Sequence, residues 1–290
     1  MWNPVVIFQS ALSGLLLGGV FALLGVGFSL SWGVMKVINI SHAAFGILAA
    51  YIAYWGLTLY GWDPMLSLLV SIPLLFFSGL VLHRFLIQKV TRAREIVVAS
   101  MILTFGLAIV LENAMLFAWA PDERLITTAY SSRALFLGEV ILKVSNLIGF
   151  GLSMAGIGGI YFFLYHTHTG KAVRATWQDP EGAALQGIPL NRVSMIAFGL
   201  AIASAGAGGV AMAYMYSFNP PAHNHWLIFL FLVVIVGGVG SVIGTAVAGL
   251  MIGLITGLSG AFLPFQWINV FLFGLLMVIL LIKPEGLFRK

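Results

Sequence analysis

The chain has 290 residues, 61% of them hydrophobic and 8% charged, whereas a soluble domain carries about 25% charged residues. A mean hydropathy of +1.06, spread over apolar runs from end to end, makes the bilayer the solvent for most of the chain and excludes a cytosolic enzyme or a nucleic-acid-binding domain. The charge of +5 and pI near 9.6 rest on so few basic residues that their distribution among loops matters more than their sum. The absence of cysteine excludes disulfides, thiolate zinc sites and cysteine nucleophiles. The amino end, MWNPVVIFQS, has no basic side chain ahead of its apolar run and reads as retained protein, not a signal peptide.

A hydrocarbon core of roughly 30 Å takes about 20 helical residues. Cutting at charges, prolines and glycines places helices at 5–31, 38–57, 65–83, 96–119, 144–165 and 193–217, two short pieces at 227–237 and 243–258, and a last helix at 265–282. The expectation is an all-α polytopic membrane protein, one transmembrane domain over 1–290, with eight to nine segments including a discontinuous hairpin near 227–258. The runs lack the two-residue alternation of membrane barrel strands.

In chain order, the first feature is WGVMKVINISHAAFG, where Lys36, Asn39, Ser41 and His42 interrupt an apolar stretch. It reads either as a loop between two helices or as an unwound segment of a transport pathway. Arg84, Lys89, Arg92 and Arg94 follow as a basic cluster. Glu112 and Asn113 lie within the next apolar run, where a charge costs about 2.5–3.5 kcal/mol. They face a wet cavity, or Glu112 is solvated near the helix end or bonded to a neighbouring helix. Asp122, Glu123, Arg124, Arg133, Glu139 and Lys143 make the next segment mixed in sign. It is expected outside, because Lys and Arg gather on the cytoplasmic side.

Residues 166–192 form the longest polar stretch, expected to be cytoplasmic, with Lys171, Arg174 and Arg192. Asp179 is a helix N-cap, Pro180 suits the first turn, Glu181 the positive end of the dipole, and Gly187 the left-handed stop. The resulting helix of about two turns is too short to stand alone and needs a docking surface. FGLAIASAGAGGVAMA then reads as a close helix-packing face, on its own domain or on a second subunit. Beyond it, the glycines of VGGVGSVIG, with Gly237, Gly238, Gly240 and Ser241, mark an unwound turn at membrane depth. A single crossing over 227–258 would leave Lys283, Arg289 and Lys290 outside, against the positive-inside rule. The pairs His166/His168 and His223/His225 have no nearby carboxylate or thiolate to complete a metal site.

EGAALQGI, in a cytoplasmic loop and followed by an apolar helix, resembles the EAA loop of ABC importer permeases, with Gly182 in place of the first alanine and Ala183 and Ala184 after it. Together with VINISHAAFGILAAYIAY, TGKAVRATWQDPEGAALQGIPLNRV, VVIVGGVGSVIGTAVAGLMIG and KPEGLF, in this order across nearly the whole chain, it resembles the branched-chain (hydrophobic) amino-acid ABC permease family, the shorter of its two permease types. The resemblance implies an inner-membrane importer with a second, different permease chain, two cytoplasmic ATPases and an external binding protein. It makes Arg174, Asp179, Glu181, Gly182, Ala183, Ala184 and Gly187 the ATPase-coupling residues. No cofactor and no nucleic-acid partner is implied. The chain departs from the family pattern at Ser41, His42 and Ala43, where many members read Ala-His-Gly, and near Ile255, where an acidic residue is expected; both departures bear on the solute.

The only lysine of the P-loop type, in TGKAV, lacks the upstream glycine and the following hydroxyl residue, so the ATPase is expected on another chain. Urea or short amides are alternative solutes, and an autonomous carrier or channel is an alternative class. An intramembrane enzyme is disfavoured by the lack of HExxH, GxSxG or a buried aspartate pair; no catalytic residue is expected.

Overall fold

The computed structural model describes residues 4–288. Among them, eight helices are long and apolar enough to cross a membrane, making this a multi-pass all-α membrane protein. Helix α1 spans Pro4–Met35, α2 His42–Tyr60, and α3 Leu68–Leu82 continues through a π-helical turn His83–Ile87 into α4, Gln88–Val90. Next come α5, Ile96–Trp119, and the strands β1, Ala134–Leu137, and β2, Val140–Lys143. Then α6 covers Val144–His166, α7 His168–Gln178, α8 Pro180–Leu185 and α9 Leu190–Met215. A 3-10 turn at Pro220–Ala222 leads into α10, His223–Gly237, followed by α11, Val242–Phe262, and α12, Phe265–Ile282.

The centre is built on α1 and α9, the two most buried spans. Helices α1 and α11 run antiparallel along a seam of small residues. A Cβ built on Gly18 would meet the Gly249 carbonyl at 2.9 Å, and one on Gly14 would meet the Gly257 Cα at 2.8 Å. Lipid tails offer helices no hydrophobic drive to associate, so this close backbone approach is the cohesive contact. The FGLAIASAG stretch is likewise spent inside the chain. Gly206 abuts Leu75, Gly199 abuts Phe76 and Leu80, and Gly208 abuts Leu24, so this face is not free for a second subunit.

Four differences from the sequence expectations have local causes. Helix α3 does not stop at residue 83, because the π-helical turn lets the chain continue through α4 without a break. The loop after α6 contains α7 as well as α8, with Thr167 capping α7 by accepting the Gly170 N–H at 2.9 Å. Residues 134–143 pair as an antiparallel hairpin turning at Gly138, φ +65°. The hairpin arms after residue 222 are longer than expected, at 15 and 21 residues: α10 begins at His223, directly on the turn that Asn219 caps, and α11 runs on to Phe262 with Gly260 helical beside α12. Both arms are therefore long enough to cross, α11 by itself and α10 together with the turn before it.

The basic clusters share one end of the molecule. Lys36 and Arg92 line one cavity with Thr176 and Pro180, and Leu287 near the tail donates its N–H to Val236 at 2.8 Å. Arg289 and Lys290 lie outside the described residues. At the opposite end the α1 terminus meets the hairpin, where the Gln9 amide donates to the Ile141 carbonyl at 2.7 Å.

Candidate functional site

Two interruptions of helix flank the last turns of α1. The first covers residues 36–41. The break is real backbone unwinding, with Lys36 at φ +56°, and its freed groups are answered from α5. Ser100 Oγ accepts the Ile38 N–H at 3.1 Å, and Thr104 Oγ1 accepts the Ile40 N–H at 3.0 Å and lies 3.0 Å from the Ile38 carbonyl. Non-helical backbone is tolerated within a membrane only with such partners. Neither serine nor threonine stood out in the sequence, though a hydroxyl in an apolar helix beside a break is the available signal.

The side chains of this first break are wholly buried: Asn39, Ser41 and His42 each have 0% exposure. Ser41 donates to Asn39 Oδ1 at 2.6 Å, while Asn39 Nδ2 and both ring nitrogens of His42 make no well-formed hydrogen bond. The His42 ring meets Phe28 edge-on at 5.7 Å. Buried polar groups cost free energy unless paired, and this cluster, with the Leu24 backbone as the polar partner of the His42 ring, is only partly satisfied in an apolar interior.

The second interruption covers 238–241, with Gly238 at φ +85° and Gly240 at φ +86°. Ser29 Oγ accepts the Gly240 N–H at 2.9 Å, and Ser241 caps α11 by accepting the Gly244 N–H at 3.0 Å. Gly237 packs its backbone on that of Thr245. Around this turn lies a small cleft of about 90 Å³ lined by Gly33, Arg174, Trp177, Gly240 and Ser241. The turn touches α1, α7 and the tail at Gly286, while the first break touches α5 and, through His42, Phe28 of α1.

Glu112 is not free in its helix. Its Oε2 lies 2.9 Å from Nε2 of His223, which is 2% exposed at the start of α10. This pairing with a neighbouring helix is one of the two arrangements the sequence left open. Asn113 sits on the exposed side of α5, its amide turned back on the Ile109 carbonyl at 2.8 Å. His166 stacks on Phe162, and His225 contacts Phe229 edge-on. No group of three or more metal-ligating side chains occurs among the described residues.

The polar loop carries a formed connector. Asp179 Oδ1 accepts the N–H groups of Glu181 and Gly182 at 3.1 and 3.0 Å, opening α8. Gly187 at φ +78° closes it, and its N–H bonds the Ala184 carbonyl at 2.9 Å. Ala183 is buried, whereas Glu181 and Ala184 are exposed and Leu185 is 87% exposed. Arg174 is used internally, over the Tyr165 ring at 4.3 Å and on the Leu164 carbonyl at 3.1 Å. Trp177, missed in the sequence, closes the chain of contacts: a Cβ on Gly33 or Gly240 would run into its indole.

A family model described as "Branched-chain amino acid transport system / permease component" matches residues 10–281. The high-affinity branched-chain amino acid transport system permease protein BraD of Pseudomonas aeruginosa is 25% identical, covering 97% of this chain and 95% of its own. LivH of Escherichia coli K12, of the same description, is 24% identical with the same coverage. The probable branched-chain amino acid transport permease protein LivH of Methanocaldococcus jannaschii is 27% identical over 91% of this chain and 87% of its own. No solved structure matches.

Proposed function

The chain belongs to the branched-chain amino acid transport permease family, and on that premise we propose that it is the membrane subunit of an ATP-driven importer of branched-chain or related amino acids. In this reading the basic end and the carboxyl terminus face the cytoplasm across an inner membrane. The partners are a second, different permease chain, two ATPases and an external binding protein.

The observation that carries the coupling reading is α8: a six-residue helix, capped at both ends, that presents Leu185 at 87% exposure on the basic end. So short a helix with an uncovered leucine is a docking element. Glu181, Gly182, Ala183, Ala184 and Gly187 form the part an ATPase grips, Asp179 holds its start, and Arg174 positions α7 beneath it. Movement of α8 reaches the membrane through Trp177, which touches both Gly33 and Gly240.

The solute path runs past the two breaks, with Asn39, Ser41 and His42 at one and Gly237, Gly238, Gly240 and Ser241 at the other. Glu112 and Asn113 stand nearer the outer mouth, Asn113 on a face that a second permease would cover. A zwitterion finds N–H groups for its carboxylate and C=O groups for its ammonium at opened helix ends. The unpaired amide nitrogen of Asn39 supports this placement.

Co-purification tests the assembly. A tagged wild-type chain should retain an ATP-hydrolysing subunit, and Leu185→Asp should release it while the chain stays membrane-inserted. Transport by the isolated chain down a gradient, with no ATPase bound, would instead assign an autonomous carrier.

A further inference from the structure

A second cavity of about 400 Å³ opens on the basic end, at the start of the first break and away from the second. Lys36 and Arg92 line it, both exposed, and neither has an ion-pair partner among the described residues. No carboxylate lines it. From the buried side it is lined by His83, 2% exposed, whose Nδ1 makes no hydrogen bond.

Two long helices also begin on this cavity, α5 at Ile96 and α9 at Leu190. Neither N-cap residue, Glu95 or Pro189, supplies a side-chain bond, and neither first turn holds an acidic residue. Each start carries free N–H groups and about half a positive charge. Two uncapped helix starts and two unpaired cations converge on one space, with the His83 ring in its wall. Tetrahedral oxyanions are what such a set holds.

The surroundings point to the source of that oxyanion. Phe85, two residues from His83, is 63% exposed, and Val97 and Val98, which follow Ile96, are 40% and 54% exposed. Acyl chains can lie on these side chains while a headgroup enters the cavity. We propose that this cavity binds the phosphate of an anionic phospholipid headgroup. Because Pro180, the first residue of α8, also lines it, the bound lipid braces the coupling helix against the first break at Lys36.

The test uses the full-length chain in mild detergent, titrated with phosphatidylglycerol, with phosphatidylcholine, and with inorganic phosphate, and read by native mass spectrometry. Wild type should retain phosphatidylglycerol over phosphatidylcholine. Lys36→Gly and Arg92→Gln should each weaken that binding about fivefold, the worth of one cation near a membrane surface. The double variant Lys89→Gln, Arg94→Gln, on the same end but outside the cavity lining, should bind as wild type. Lys36→Gly also removes a side chain from a positive φ, so its loss of binding does not reflect misfolding. Wild-type affinity in both cavity variants overturns the site. Displacement of the lipid by inorganic phosphate, with the same variant sensitivity, overturns the lipid in favour of the free ion.

Discussion

Ser29 Oγ accepts the backbone N–H of Gly240 at 2.9 Å, tying the second break to the last turns of α1. Without it a part-buried backbone donor loses its partner, which costs about 0.5–1.5 kcal/mol. Ser29→Ala should lower thermal stability in detergent by that amount. Gly240→Ala should do worse, because φ is +86° and the new Cβ would strike the Trp177 indole. If both variants melt with wild type, the turn is not held as described.

The α1/α11 seam makes a second prediction. A side chain at Gly249 would press on the Ala22 backbone, and overpacking of this kind costs about 1–3 kcal/mol. Gly249→Val should reduce stability by at least the lower figure, whereas Gly158→Val, which meets nothing within 4 Å, should be silent. Equal effects at the two positions would mean that the seam is not a special contact.

On the far end, Tyr130 donates to Asp63 at 2.6 Å and lies 3.0 Å from the Tyr214 hydroxyl, latching the outer segment to the α2–α3 turn. Burial first, and then the bond to Asp63, raise the Tyr130 phenol above its ordinary range. With the folded value above the unfolded one, the latch contributes its stability below about pH 10 and loses it as pH rises through the folded value. Tyr130→Phe should cost about 1 kcal/mol at neutral pH and reduce the decline above pH 10. An unchanged alkaline decline in Tyr130→Phe would show that another group causes it.

His42 separates stability from transport. An apolar ring in its place removes buried nitrogens whose one polar contact is the Leu24 backbone, so His42→Phe should stay within about 1 kcal/mol of wild type in stability. If the residue lines the solute path, uptake in the assembled transporter should still fall about tenfold, or about 1.4 kcal/mol in barrier height. Full uptake with that stability would make His42 a packing residue only.

Features that depend on a few adjacent residues were readable from the sequence. The Asp179 cap, the Gly187 stop and the glycine break at 238–241 are local backbone chemistry, and each falls where its residue types require. The β-hairpin carried a usable signal in Leu137-Gly138-Glu139-Val140, a two-residue turn between apolar runs, which the charged residues around it obscured. The length of α11 was misjudged because a glycine such as Gly260, kept helical beside a neighbouring helix, looks in sequence like one that ends a helix, and that of α10 because the mostly polar residues 223–226 read as loop. Nothing local marks the pairing of Glu112 with His223, 111 residues apart, or the approach of Trp177 to Gly240. Such contacts exist only once helices pack.

The most direct test of the central claim is uptake of radiolabelled leucine into proteoliposomes holding this chain with its second permease and ATPase subunits, with binding protein on the substrate side and ATP on the ATPase side. The account predicts uptake that needs ATP and the binding protein, and that Glu181→Arg abolishes while leaving the complex able to bind nucleotide. Uptake that proceeds without ATP, or that survives Glu181→Arg undiminished, would contradict it.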